Sequence, residues 1–185
     1  EYGAAFTIAD LGYAGMGSVT FLDLTEPGEI TQTVITGFPM GKLNMPTTSH
    51  EGNVSFEHKN LNLEFIKDGR QRLINVFFAN FADGRPLQGT IRMTQPKPMD
   101  TMVIATPFAG NPHAFYYNQK INCMPAEGIL MLGSEKRAFD PGRSFAVLDW
   151  GRGVWTYSNT WYWGSASGLV DGTPFGFNIG YGFGD

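Results

Sequence analysis

Alternation with a period of two runs through this chain and leaves little room for helices. Between residues 61 and 67, Leu61, Leu63 and Phe65 alternate with Asn62 and Glu64, which puts three apolar side chains on one face of an extended segment. No stretch sustains the 3.6-residue period of an amphipathic helix. The expected strands cover residues 5–10, 18–24, 30–36, 53–60, 61–67, 72–81, 87–94, 102–106 and 145–149, with 115–122 and 128–133 as a further pair. Gly12, Gly15 and Gly17 read as separators, Glu26-Pro27-Gly28 as a turn, and Asp68-Gly69 and Asp83-Gly84 as hairpin turns. Pro96, Pro98 and Pro107 punctuate a loop, and residues 136–143 read as a short helical turn ended by Pro141-Gly142. Short strands about 8–12 residues apart, with Gly, Pro, Asn and Asp between them, predict an all-β fold: an antiparallel barrel or a barrel-like sandwich.

Composition narrows the function classes. Charged residues make up 16% of the 185-residue chain, against about 25% in an average globular protein. The net charge of −4 offers no basic field for a phosphate backbone, so no nucleic-acid partner is expected. No apolar run reaches the roughly 18 residues of a membrane helix, so no integral membrane segment is expected. Cys123 is the single cysteine, which excludes an internal disulfide framework and a CxxC metal knuckle. A reducing, cytoplasmic setting follows as the simplest expectation. The chain starts Glu-Tyr-Gly and ends while still alternating, so it reads as one β domain over residues 1–185, or parts of two, cut at both ends.

The last 41 residues stand apart. They hold eleven aromatic residues, including all four Trp, and nine Gly. Trp155, Tyr157, Trp161 and Trp163 fall on odd positions, with Asn159 in the same row; Phe175, Phe177, Ile179, Tyr181 and Phe183 repeat that parity. In the second run Gly176, Asn178, Gly180, Gly182 and Gly184 occupy the even positions. If both runs are extended, each carries an aromatic row on one face, and the bare face of the second admits a ring, a ligand or another backbone. Such rings either fill a core or line a ligand cavity with a few polar groups aimed inward.

Asp149-Trp150-Gly151-Arg152-Gly153 lies among these rings. Asp149 is either desolvated, protonated and able to act as an acid, or paired with Arg152 to fix a turn. Tyr162 and Ser165 would orient a substrate or satisfy backbone groups. Alternation also gathers Asn118, Lys120 and Asn122 on one face, either solvent-facing or as a polar wall. His50, His58 and His113 lack the spacing of a metal site. Gly164-Ser165-Ala166-Ser167-Gly168 has Ala166 where a nucleophile elbow needs Ser. Neither a metal nor a cofactor is expected.

Several stretches resemble the family known as domain of unknown function 2804: Ile8-Ala9-Asp10-Leu11-Gly12-Tyr13, Ser18 through Leu24, Tyr116 through Pro125, and above all Leu148-Asp149-Trp150-Gly151-Arg152-Gly153-Val154-Trp155 with Trp161-Tyr162-Trp163. The Leu148-Asp149 block, Trp161-x-Trp163 and Asp171-Gly172 are also distantly similar to carotenoid 1,2-hydratases and lipocalin-like pericyclases. That similarity implies a lipocalin-like (calycin) barrel around an apolar substrate, with an acid at Asp149. Trp150-Gly151-Arg152 departs from the His-Glu-Trp-like run of the hydratases. The expected function is binding of a hydrophobic small molecule in an aromatic-lined pocket, with acid-catalysed hydration, isomerisation or cyclisation of an alkene. The alternatives are a lipid or isoprenoid carrier without chemistry and a structural β domain without ligand. Asp149, Arg152 and Tyr162 are the candidate catalytic residues. Trp150, Trp155, Trp161, Trp163, Asn118, Lys120, Phe177, Asn178 and Tyr181 are the candidate ligand-binding residues. The oligomeric state is left open.

Overall fold

The computed structural model describes residues 1–25, 28–97 and 99–182. The expected turn at Glu26-Pro27, the loop residue Pro98, and Phe183 and Gly184 of the alternating end lie outside them. About 70% of the described residues are in strands and none is helical. The all-β class is what the chain adopts, and every strand pairing described is antiparallel. Among the described residues no ladder closes a sheet into a barrel.

The strands are β1 (Tyr2–Asp10), β2 (Ala14–Asp23), β3 (Gly28–Gly37), β4 (Val54–His58), β5 (Leu61–Asp68), β6 (Gln71–Ala82), β7 (Arg85–Thr94), β8 (Met102–Phe108), β9 (Asn111–Leu132), β10 (Glu135–Phe139), β11 (Phe145–Val154), β12 (Tyr162–Val170) and β13 (Thr173–Tyr181). The chain divides into two compact units. The first holds residues 1–92 and 127–139, the second residues 93–126 and 140–185, so the long strand β9 contributes to both.

In the first unit β1-β2-β3 form one sheet, and the carboxyl end of β9 joins another in the order β10-β9-β7-β6-β5-β4. Alternation builds its core: Val19 and Phe21 on β2, Val54 and Phe56 on β4, Leu61 and Leu63 on β5 and Leu87 on β7 are all buried. On the other face of β2, Ser18 and Thr20 meet the hydroxyls of Thr33 and Thr31 at 2.8 Å each. Gly15 and Gly17 do not separate two strands. They lie inside β2 on its buried face, where a Cβ on Gly17 would come within 2.5 Å of the Phe56 ring. The turn Asp83-Gly84 has both residues at positive φ, which a two-residue hairpin of this twist requires. After Asp68 the turn residues are instead Gly69 and Arg70, since Asp68 pairs with Gln71.

Two further expectations are corrected. Residues 115–122 and 128–133 are not a strand pair but parts of the 22-residue β9. Pro125 passes without a break as the partner of Phe145, and Gly128 lies so close to Thr90 that a Cβ would overlap its carbonyl oxygen. Residues 135–139 are strand β10 paired with β9 rather than the start of a helical turn. The turn follows at 140–144, where the Arg143 and Ser144 amides donate to the Asp140 carbonyl at 2.9 and 2.7 Å.

In the second unit β9 lies between β8 and β11, and β12-β13 form a separate hairpin. The β12-β13 turn is Asp171-Gly172, again with both residues at positive φ. Among the described residues no helix is long and apolar enough to cross a membrane.

Candidate functional site

Register on β9 assembles the site. Tyr116, Asn118 and Lys120 share one face; β8 sets Thr106, Ile104 and Met102 beside them, and β11 sets Gly153, Gly151 and Asp149. The two glycines make this geometry possible. A Cβ on Gly151 would come within 2.7 Å of the Tyr116 ring, and one on Gly153 would overlap the Phe115 carbonyl oxygen. The polar row is therefore covered rather than solvated: Asn118 is 3% exposed and Lys120 4%. A lysine head at that depth needs a counter-charge.

Asp149, directly opposite Lys120, supplies it: the Lys120 ammonium donates to Asp149 Oδ1. Lys120 Nζ also lies 3.5 Å from the Tyr116 hydroxyl and 4.8 Å from the centre of the Trp163 ring. Burial, and secondarily the Asp149 charge, pushes the Tyr116 phenol up to about 12, so it is a neutral hydroxyl over the working pH range. The Asp149 side chain is 43% exposed while that of Lys120 is 5% exposed, so the pair meets solvent on its carboxylate side.

The expected Asp149–Arg152 pair does not form. Residues three apart on one strand point to opposite faces, and Arg152 stands opposite Tyr117. Trp150 lies on that far face too, edge-on to Tyr117 at 5.7 Å between ring centres. The first aromatic row is also corrected: residues 155–161 form a loop, and only Trp163 of that row is in a strand. Trp155 still joins the site by packing 5.1 Å from the Tyr116 ring. In the β12-β13 hairpin Tyr162, Phe177 and Tyr181 share one face, exposed and opposite to the face of Trp163 and Asn178. Of the candidates, Asn118, Lys120, Asp149, Trp155 and Trp163 come together, whereas Trp150, Arg152, Tyr162, Phe177 and Tyr181 do not join them.

Asn178 connects through Asn122. The Asn122 amide nitrogen meets Ser165 Oγ at 2.8 Å and the carbonyls of Ala166 and Phe177 at 2.9 and 3.2 Å, while Asn178 donates to Asn122 Oδ1 at 2.6 Å. These bonds fasten the hairpin to β9 at a bulge, where Asn122 and Cys123 together face Val147 and Cys123 takes φ 54°. Asn122 therefore positions the hairpin, and Ser165 is its partner.

Beside Tyr116 is a cavity of ≈ 50 Å³, walled by the rings of Phe108, Tyr116, Trp155 and Trp161 with Thr106 and Asn159. A larger, open groove of ≈ 750 Å³ lies in the first unit on the outer face of β5–β7. Its polar groups bond to one another, Asn75 to Glu64 at 3.1 Å and Thr90 to Asn75 at 2.8 Å, as on an ordinary solvated sheet face. No group of three or more His, Cys, Asp or Glu side chains that could hold a metal ion occurs among the described residues. Tyr116 was not among the sequence candidates, although it shares the parity of Asn118 and Lys120. Asn159 appeared only as a member of the aromatic row.

The family model Domain of unknown function (DUF2804) matches residues 1–185. The chain belongs to the DUF2804 family. No curated protein and no solved structure matches it. Within this DUF2804 chain, the block from Leu148 to Trp155 that carries the sequence resemblance is the strand that brings Asp149 to Lys120 and the two glycines to Tyr116.

Proposed function

We propose that the second unit binds an apolar small molecule whose polar end reaches the Lys120–Asp149 pair. The observation that supports this most is a lysine 4% exposed in mid-strand, under an indole, held by one carboxylate that solvent can reach. As a stabilising device such a pair is poor, because apolar residues of similar volume usually serve a fold as well or better. Asn118 Oδ1, in the same row, is buried without a hydrogen-bond partner, so the row has an acceptor to spare. The rings of Tyr116, Trp155, Trp161 and Trp163 would contact the apolar body of the ligand.

Asp149 gives this reading a catalytic form. Its carboxylate is the reachable half of the pair. A proton taken up by Asp149 from solvent and passed to an alkene would leave a carbocation beside the regenerated carboxylate, closed by addition of water (hydration) or by loss of a neighbouring proton back to Asp149 (isomerisation). Arg152, on the other face of β11, has no place in that step.

Mass spectrometry of organic extracts from the purified chain tests the binding. Wild type should release an apolar compound, and Lys120→Met should release at least tenfold less at an unchanged unfolding midpoint. Release of the compound unaltered after incubation, with no dependence on Asp149→Asn, would favour a carrier over an enzyme. Extracts of wild type that match a buffer blank would leave a purely structural domain.

A further inference from the structure

A buried ion pair that only has to hold two strands together is served best by arginine, whose fork meets a carboxylate at two points and keeps its proton. Strand β9 carries a lysine there instead, 4% exposed in mid-strand. Unlike arginine, lysine becomes a nucleophile once its nitrogen gives up a proton. The groups around Lys120 Nζ are those such a step uses. Asp149 Oδ1 accepts its hydrogen bond, and the Asp149 side chain is 43% exposed, so it exchanges protons with solvent. The Tyr116 hydroxyl lies 3.5 Å from Nζ, and burial raises the phenol to about 12, which keeps it protonated. Nζ stands over the Trp163 ring, 4.8 Å from its centre, where positive charge is favoured. Charge balance narrows the ligand further. A charged head placed at this pair would leave one charge unmatched beside a row in which Asn118 is 3% exposed. A neutral carbonyl that condenses with Lys120 exchanges an ammonium for an iminium at the same place, and Asp149 stays matched.

We propose that Lys120 condenses with an apolar aldehyde to form a protonated imine, so that the carbonyl carbon is the polar end of the ligand. The proposal rests on the reading of the second unit as a ligand-binding one and names the class of ligand. Asp149 takes a proton from the Lys120 ammonium, and the freed amine attacks the carbonyl carbon. The new C–N bond forms as the C=O pair moves to oxygen, and the nitrogen then passes a proton to that oxygen, with the Tyr116 hydroxyl in reach as relay. Asp149 returns its proton to the resulting hydroxyl, the C–O bond breaks, and water leaves. The products are an iminium beside the Asp149 carboxylate and one water, with no oxidant or reductant consumed. The lysine stem is flexible, so its head meets the carbonyl on the open, carboxylate side of the pair. An aldehyde suits this covered position better than a ketone, since its carbonyl carbon carries one substituent rather than two. The apolar chain of the aldehyde extends outward along the exposed indoles.

Incubating the full chain with equimolar nonanal, trapping with cyanoborohydride and mapping the nonyl group by peptide mass spectrometry tests this. Exposed lysines such as Lys42, Lys59, Lys97 and Lys136 are the ones an unselective aldehyde modifies first. Lys120 should nevertheless carry most of the label, and tryptophan fluorescence should change with nonanal before any reductant is added. Asp149→Asn should slow trapping at Lys120 about a hundredfold, the lower range for loss of a positioned proton-transfer group, and leave the exposed lysines unchanged. Because the wild-type map needs no variant, a fold defect in Asp149→Asn leaves the test intact. Label on the exposed lysines with Lys120 unmodified would overturn the imine. If the organic extract still yields an apolar compound in that case, the unit binds its ligand without a covalent bond. An unmodified Lys120, no fluorescence change and an empty extract would together remove both readings.

Discussion

The two units bury different chemistry. In the first, the most deeply covered side chains are Phe56, Phe81, Leu61, Leu63, Leu87, Leu130 and Val19, all apolar. In the second, Ile121 and Met124 are equally covered, but the run beside them on β9 is Asn118-Gln119-Lys120, all buried, while Trp155, Trp161 and Trp163 are at least 41% exposed. An antiparallel sheet that only had to fold would reverse that arrangement, with rings inside and the lysine out. The second unit therefore spends stability on a polar interior, the pattern expected where local rules yield to a site.

The largest effect expected from breaking this contrast is in the first unit. Phe56→Ala empties a site 1% exposed and should cost about 4 kcal/mol in urea unfolding. Trp161→Ala, at a ring 49% exposed, should cost below about 1 kcal/mol while abolishing ligand-dependent fluorescence changes. Equal costs at the two positions would erase the distinction between them. Next is Asp149→Asn, which leaves the Lys120 ammonium covered and uncompensated. It should cost about 3 kcal/mol, the lower end for a broken buried pair because the carboxylate side is open. The double variant Lys120→Met/Asp149→Leu should recover most of that loss. A cost of less than about 0.5 kcal/mol for the single variant would mean the pair behaves as a surface one.

Backbone approach should not distinguish the units. Gly89 in the first is backed by the Ile129 carbonyl and Gly153 in the second by that of Phe115. Alanine at either should cost on the order of 2 kcal/mol by overpacking, read from the unfolding midpoints. A tolerant Gly153→Ala would show that β11 can shift on β9, and the Lys120–Asp149 register with it.

How legible these features were depends on what set them. Strand β5 and the Asp83-Gly84 turn follow from local rules, alternation and φ preference, and the sequence shows them directly. The continuity of β9 does not, because Pro125 and Gly128 carry the local marks of a break. Gly128 is there for close approach to β7, and Pro125 is accommodated beside β11, so in both cases a tertiary neighbour decides. The site divides in the same way. Parity alone gathered Asn118, Lys120 and Asn122, and pointed equally to Tyr116. The partner of Asp149 required cross-strand register: Arg152 is close in sequence but on the wrong face, while Lys120 is 29 residues away and directly opposite. The loop at 155–161 kept the alternation of a strand without forming one, so rings predicted as a row instead wall a cavity.

The smallest expected effect isolates the covering of the polar row itself. The Tyr116 phenol is raised to about 12, first by burial and then by the Asp149 charge, from about 10 in an unfolded chain. The folded form thus holds the phenolic proton more tightly than the unfolded form. Its contribution is complete below about pH 10 and is lost as pH rises through the folded value near 12. Tyr116→Phe should therefore flatten the alkaline fall in unfolding free energy over that window and leave the pH 6–8 range nearly unchanged. Asp149→Asn should move the Tyr116 titration, followed by phenolate absorbance, toward lower pH by removing the secondary cause only. If Tyr116 ionised together with the exposed tyrosines, the row on β9 would be wet, and the contrast between an apolar and a polar interior would reduce to a difference in surface.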